Sequence, residues 1–138
     1  MRRADPRSVA ASVAVAVVVL AGCRPSGEPV PECVGEGEGR WVAIVRPGLP
    51  TEGERPLAIE CWREVGPERI ELWFSVPAGS ECWELSAVDL RESGDAIAVS
   101  LAAVPAAVCQ GDVGTEGLTQ IELQAPVDDR AVLDGTAG

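Results

Sequence analysis

The side chains of this 138-residue chain that could do chemistry are its cysteines and carboxylates. There are five cysteines and 22 aspartates and glutamates, no histidine, and all eleven basic residues are arginines. Without histidine or lysine, the chain cannot build a Ser-His-Asp triad, a Cys-His pair, a Schiff base or a Walker-type phosphate loop. The chemistry that remains is that of thiols and of paired carboxylates.

Paired carboxylates are the weaker of these two possibilities. A glycoside hydrolase needs two Asp or Glu side chains flanking the scissile bond, and a sugar cleft usually adds aromatic platforms, whereas this chain has four tryptophans and one phenylalanine. Most carboxylates in so acidic a chain are expected to be solvated surface groups. We therefore expect no catalytic residue and no enzyme activity, and we keep a carboxylate-based cell-wall or glycan hydrolase as the alternative.

The same residues do not predict a metal site or a cofactor. No two cysteines have the C-x-x-C spacing of a zinc or redox site. Asp112 to Glu116 and Asp128-Asp129 offer oxygen ligands, but neither matches the pattern of a calcium loop. We expect no metal and no cofactor.

Cys23 follows a segment typical of a secretory signal. Residues 1–8 carry three arginines and one aspartate, and residues 9–20 form an uncharged run that is too short for a spanning helix of about 20 residues. The sequence Leu20-Ala21-Gly22-Cys23 resembles the bacterial lipobox. That resemblance implies that residues 1–22 are a cleaved lipoprotein signal peptide and that Cys23 carries the lipid. An uncleaved membrane anchor and an ordinary signal that leaves Cys23 free are the alternatives.

The lipobox makes membrane lipid, attached through Cys23, the expected partner and the outer face of the cell membrane the expected location. Residues 23–40 contain prolines, glycines and glutamates and little that could be buried, so they predict a flexible tether. A coil of that length spans about 20–25 Å. The exported domain is then residues 41–138.

Short runs of alternating apolar and polar residues predict that this domain is all-β. The clearest runs are 57–62, 70–76, 97–101 and 120–124, separated by turn sequences such as Gly66-Pro67 and Ser93-Gly94-Asp95. About seven short strands in this arrangement are typical of a small β-sandwich or a partly open barrel. Residues 96–107 could instead be helical, but Pro105 and the alternation favour a strand.

Four cysteines remain in the domain and its tether: Cys33, Cys61, Cys82 and Cys109. An even number in a small exported domain predicts two disulfides. Three pairings are possible, and we prefer the consecutive one, Cys33–Cys61 with Cys82–Cys109. Each bridge would then stabilise the fold by roughly 3–4 kcal/mol through loop closure.

Three tryptophans are candidates for a binding surface. If Cys61 points inward, alternation places Trp62 on the opposite face, and Trp73 is one position out of phase with its apolar neighbours. Together with Trp83, these side chains could form an exposed patch, since tryptophan is enriched at binding hot spots. The alternative, which we prefer, is that a second sheet covers them.

Residues 73–138 resemble a family of small uncharacterised actinobacterial lipoproteins. The resemblance is carried by Glu81-Cys82-Trp83-Glu84-Leu85, by Ala96 to Leu101 with Cys109, and by Ala125 to Gly135, where Val127 replaces the usual leucine. It implies a cysteine-bounded hairpin with Cys82 paired to Cys109 and a β fold. It implies no activity, since none is known for the family.

Net charge limits the partners of the domain. Removing residues 1–22 takes away three arginines and one aspartate, so that the net charge changes from −11 to −13. Such a chain is repelled by nucleic acid, and we expect no nucleic-acid partner. An envelope protein or cell-wall component is the partner class left, and the leading expectation is a non-catalytic binding or structural domain of the envelope.

The C-terminal segment predicts one further strand. Alternation in 130–133 suggests an edge strand on which Arg130 stays in solvent and blunts the open edge. An exposed arginine of this kind would contribute little to stability.

Overall fold

The computed structural model describes residues 25–78, 82–107, 109 and 114–137. These residues form an all-β fold of nine strands in two sheets, which confirms the predicted small β-sandwich or partly open barrel. The strands are β1 (Glu28–Pro29), β2 (Trp41–Val42), β3 (Arg55–Leu57), β4 (Ile59–Gly66), β5 (Arg69–Ser75), β6 (Trp83–Glu92), β7 (Ala96–Pro105), β8 (Glu116–Glu122) and β9 (Ala131–Asp134), followed by a 3-10 turn, Gly135–Ala137. Among the described residues, no helix is long and apolar enough to cross a membrane. The predicted signal peptide, residues 1–22, and Cys23 lie outside the described residues.

The first sheet is built around β7. Strand β6 pairs antiparallel with it along its whole length, while β9 pairs parallel with its first half and β3 antiparallel with its second half. Strand β1 pairs with the other edge of β9. Residues Ile97, Val99 and Leu101 are fully buried in the core, as the strand alternation predicts, and the helical alternative for this segment is wrong.

The second sheet has the order β2-β8-β5-β4. Its central strand β5 places Ile70, Leu72 and Phe74 on the inner face, where all three are fully buried. Glu71 and Trp73 alternate with them and therefore lie on the outer face. The edge of Trp41 packs against Phe74 with ring centroids 5.8 Å apart, so β2 extends the core at the far edge of this sheet.

Chain crossings close both sides of the sandwich. On one side, β3 passes into β4 at Ala58, and the segment after β1 crosses as well, since Cys33 N donates to Trp62 O at 2.7 Å. On the other side, the segment after β2 joins the sheets: Ala43 N donates to Leu118 O at 2.7 Å, and Arg46 N donates to Leu85 O at 3.0 Å. The two sheets therefore form a barrel-like wall rather than two separate layers.

The segment predicted as a flexible tether lies against the domain in its described part. Strand β1 pairs with β9, Val30 is buried in the core, and Cys33 is bonded to Cys61. Composition predicted the opposite, because each contact is made with a residue at least 28 positions away along the chain. The physical reason is that β9 would otherwise present an unpaired edge, which β1 covers.

The expectation for the C-terminal strand is wrong in two respects. Strand β9 is not an edge strand, since β1 and β7 flank it on both sides. The side chain of Arg130 is only 9 % exposed and forms an ion pair of 3.0 Å with Glu92. Its guanidinium also donates to the backbone carbonyls of Ser93, Ala125 and Pro126. Arg130 therefore fixes the chain that leads into β9 instead of blunting an edge.

Candidate functional site

The three tryptophans do not form the exposed patch considered from the sequence. Trp73 is 6 % exposed and Trp83 is 9 % exposed, with Trp83 in the main core. Trp62 is half-buried against the same core and donates from Nε1 to Val30 O at 3.1 Å. The preferred alternative, burial, is what the structure shows.

The assumption that Cys61 points inward is wrong. The strand register shifts between Ile59 and Cys61, which moves Cys61 opposite Trp73 on the outer face and turns Trp62 toward the core. An irregularity of this kind inverts the alternation after it, and no local pattern in the sequence announces it.

Both predicted disulfides have the consecutive pairing. Cys33 is bonded to Cys61 with their Cα atoms 4.9 Å apart, and Cys82 is bonded to Cys109 with their Cα atoms 5.4 Å apart. The second bridge joins the start of β6 to the chain after β7 and so closes that hairpin. Cys23, the predicted lipidation site, lies outside the described residues.

The densest group of polar side chains lies on the outer face of the second sheet. We call it the outer cluster; its members are Arg40, Arg63, Glu71, Trp73 and Gln120. The register of the sheet places three of them side by side, because β5 Glu71 is opposite Arg63 on β4 and Gln120 on β8. Arg40 enters from the segment before β2, which was predicted to be part of the tether.

Glu71 is the buried carboxylate at the centre of the outer cluster. It is 4 % exposed, and its Oε2 accepts hydrogen bonds from Trp73 Nε1 at 2.8 Å and from Arg63 Nε at 2.9 Å. Its Oε1 accepts a hydrogen bond from Gln120 Nε2 at 3.2 Å. Burial acts to raise the pKa of Glu71, but the hydrogen bonds from Trp73 and Gln120, together with the charge and hydrogen bond of Arg63, outweigh it and lower that pKa. The carboxylate is therefore held in its ionised form.

Trp73 is covered by arginines and by a glycine loop, not by the other sheet. The guanidinium carbon of Arg40 lies 4.7 Å from the ring centroid and that of Arg63 lies 5.6 Å from it, both within the range of cation–π contacts. Gly37 has a φ of +72°, and a Cβ atom there would lie 2.7 Å from the ring. Only glycine fits this approach, so the Gly-Glu sequence read as tether is shaped to pack on the ring.

Arg40 ties this cover to the sheet beneath it. Its Nη1 donates to Phe74 O and to Gly117 O, both at 3.2 Å, and its Nη2 donates to Glu60 Oε1 at 2.9 Å. Glu116 approaches the same Nη2 at 3.8 Å. The polar atoms of the outer cluster thus bind one another and the backbone, an arrangement that fixes structure and holds a charge in place.

The described residues offer no place for a metal. They contain no group of three or more Cys, Asp or Glu side chains placed to hold an ion. Of the predicted oxygen ligands, Asp128 lies in the turn before β9 with a φ of +49°, and Asp112 lies outside the described residues.

A shallow, open depression lies at the turn between β4 and β5. It is lined by Val65 to Arg69 and by Glu122 and Leu123. Arg69 and Glu122 form an ion pair of 2.7 Å across its wall, and both side chains are largely exposed. An open surface with one solvated ion pair carries no sign of a built binding site.

The chain matches no protein-family model, no curated protein and no solved structure. Its role is therefore inferred from its own residues and geometry.

Proposed function

We propose that the chain is a lipoprotein held on the outer face of the cell membrane by lipid on Cys23. In this proposal, its β domain is a non-catalytic binding or structural module of the cell envelope. The observation that carries the proposal is the sequence Leu20-Ala21-Gly22-Cys23 directly after a basic segment and a short apolar run.

The disulfide framework supports an extracytoplasmic location. Two bridges, Cys33–Cys61 and Cys82–Cys109, join all the described cysteines in pairs. Disulfides form and persist in oxidising spaces and are rare in the cytosol. The Cys82–Cys109 bridge also bounds a hairpin, which fits the actinobacterial lipoprotein family that residues 73–138 resemble, and we include membership of that family in the proposal.

The geometry of the outer cluster supports a non-catalytic domain. A general acid in a glycosidase needs a carboxyl group whose pKa is raised. The pKa of the buried Glu71 is lowered, and both of its oxygens are occupied by protein donors. The most enclosed carboxylate of the described residues is thus suited to bind arginine and not to deliver a proton.

A carboxylate-based glycan hydrolase is the second candidate, favoured by one observation. Glu60 and Glu116 both approach Nη2 of Arg40, at 2.9 and 3.8 Å, which brings two carboxylates near one another at the surface. The guanidinium lies in the space between them, where a scissile bond would have to bind. Release of soluble fragments from purified cell wall that is lost in both Glu60→Gln and Glu116→Gln would favour this candidate.

Substitution of Cys23 tests the proposal directly. Cys23→Ala should abolish incorporation of labelled fatty acid and leave a precursor heavier by the uncleaved signal peptide. The control is Ala21→Ser, which keeps the lipobox pattern and should be labelled and processed normally. Lipid labelling that survives in Cys23→Ala would contradict the proposal, and capture of partners from the native envelope then has no anchored protein to start from.

A further inference from the structure

The distance between the lipid and the folded domain is much shorter than the composition of residues 23–40 suggests. Gly27 is already packed on the domain, since a Cβ atom there would lie 2.4 Å from Asp134 O, and β1 begins at the next residue. Four residue steps separate Cys23 from Gly27. Because a fully extended chain gains at most 3.6 Å per residue, these two positions are at most about 14 Å apart.

The point of attachment has a definite place in the barrel wall. Strand β1 pairs with β9, and the segment after it bonds to β4 through Trp62. The exposed Ala58 belongs to the same part of the wall, because the next residue, Ile59, donates its N–H to the Asp134 carboxylate at 3.0 Å. We call this region, formed by β1, β9 and Ala58, the attachment wall.

Strand β2 lies on the opposite side of the barrel. Counted in one direction, the neighbours run from β1 through β4, β5 and β8 to β2. Counted in the other, they run through β9, β7 and β6 to the segment that follows β2, where Arg46 N bonds to Leu85 O. Val42 on β2 is 67 % exposed there. A folded domain of about 100 residues has a radius of gyration of about 13 Å and is therefore about 30 Å across.

We propose that the domain is held directly at the membrane surface in one orientation, with the attachment wall toward the lipid headgroups and β2 facing away. The inference rests on the proposed lipid at Cys23. A tether of at most about 14 Å cannot let a body about 30 Å across turn over. The contact is imposed by the tether, since the net charge of −13 after removal of residues 1–22 makes the domain itself repel anionic headgroups.

Energy transfer to the bilayer tests this orientation in the full lipidated protein. A donor dye is attached, without reduction of the disulfides, to Ala58→Cys in one variant and to Val42→Cys in another. The proteins are reconstituted in phosphatidylcholine vesicles that contain a headgroup-labelled acceptor lipid. The dye at position 58 should lie roughly 15–25 Å nearer to the acceptor plane than the dye at position 42, and transfer should be correspondingly stronger.

A longer tether is the matched control. Sixteen Gly and Ser residues inserted between Arg24 and Pro25 add a coil that spans about 20–24 Å and should remove the difference between the two dyes. Equal transfer from both positions without the insertion would overturn the inference, and so would a difference that persists with it. Intact mass separates this failure from that of the proposed function: a Cys23 without lipid overturns both, whereas lipidated protein with equal transfer overturns the orientation alone.

Discussion

Buried charges in this acidic domain are held by arginines at two places. Glu71 is bound by Arg63 in the outer cluster, and Glu92 is bound by Arg130 beneath the turn before β9. Removing a carboxylate from water is costly unless a partner charge and hydrogen bonds replace the lost hydration. Each arginine also contacts a segment far away in sequence, so these pairs join elements as well as balancing charge.

Glu71→Gln tests the balance at the outer cluster. Because the pKa of Glu71 is lowered in the folded protein, the ionised group stabilises the fold above its ordinary pKa of 4.5, and this stabilisation is lost as the pH falls through the folded value. The substitution should lower the free energy of unfolding by about 1–3 kcal/mol at pH 7. The gap to the wild type should narrow at pH 3. Urea unfolding at the two pH values measures both quantities.

Glu122→Gln is the matched control for that experiment. Glu122 lies on a neighbouring strand and pairs with Arg69 in solvent, so its replacement should change stability by less than about 1 kcal/mol at either pH. If the two variants behave alike at pH 7, Glu71 does not hold the cluster together.

Arg130→Gln should be much more harmful than an exposed arginine would be. The substitution leaves Glu92 buried without its charge partner and frees three backbone carbonyls. Loss of one member of a buried pair costs about 3–5 kcal/mol, which corresponds to a fall in Tm of ten degrees or more for a domain of this size. Arg91→Gln, at a side chain that is 75 % exposed, serves as the comparison in thermal unfolding and should leave Tm nearly unchanged.

At the scale of elements, the segment before β2 is part of the folded domain. It supplies a strand, a buried valine, a disulfide partner and the cover of Trp73. Its Pro-Gly-Glu composition describes what it lacks as an independent unit. Its contacts show that it is stable because other strands hold it.

Two truncations test this role. A protein of residues 25–138 with Cys33→Ala and Cys61→Ala should fold, with stability reduced by about 3–4 kcal/mol from loss of the bridge. A protein of residues 41–138 with Cys61→Ala should show no cooperative thermal transition, because it also loses β1, Val30 and Arg40. Comparing the two separates the disulfide from the rest of the segment. Equal melting temperatures would mean that the segment contributes only its cysteine.

At the scale of the whole molecule, the domain is a closed wall with an acidic surface. Both sides of the sandwich are sealed by crossing segments, so few strand edges are open to pair with other chains. Residues 25–138 carry seven arginines and 21 acidic residues. This charge keeps copies apart and disfavours adhesion to anionic surfaces.

The acidic surface gives a further testable expectation. Residues 25–138, prepared without lipid, should not sediment with phosphatidylglycerol vesicles even at low ionic strength, where electrostatic binding is strongest. The lipidated protein should sediment with phosphatidylcholine vesicles at any salt concentration. Binding of the lipid-free domain would show that an adhesive surface, and not the anchor alone, brings it to the membrane.

The amino-acid sequence by itself determined the fold class, the main strands and the disulfide pairing we preferred. Alternation is a local property, so 70–76 and 97–101 could be recognised as strands and their inward residues named. The missing residue types likewise narrowed the chemistry without reference to any structure.

Only the tertiary structure decided what depends on distant contacts. The register shift before Cys61 reversed which side chain points inward, the pairing of β9 with β1 turned a tether into a strand, and the loop before β2 buried Trp73 and Arg40 together. In each case the deciding partner lies at least twelve positions away along the chain. Local pattern cannot encode such a contact, because it is set by which strands meet when the barrel closes.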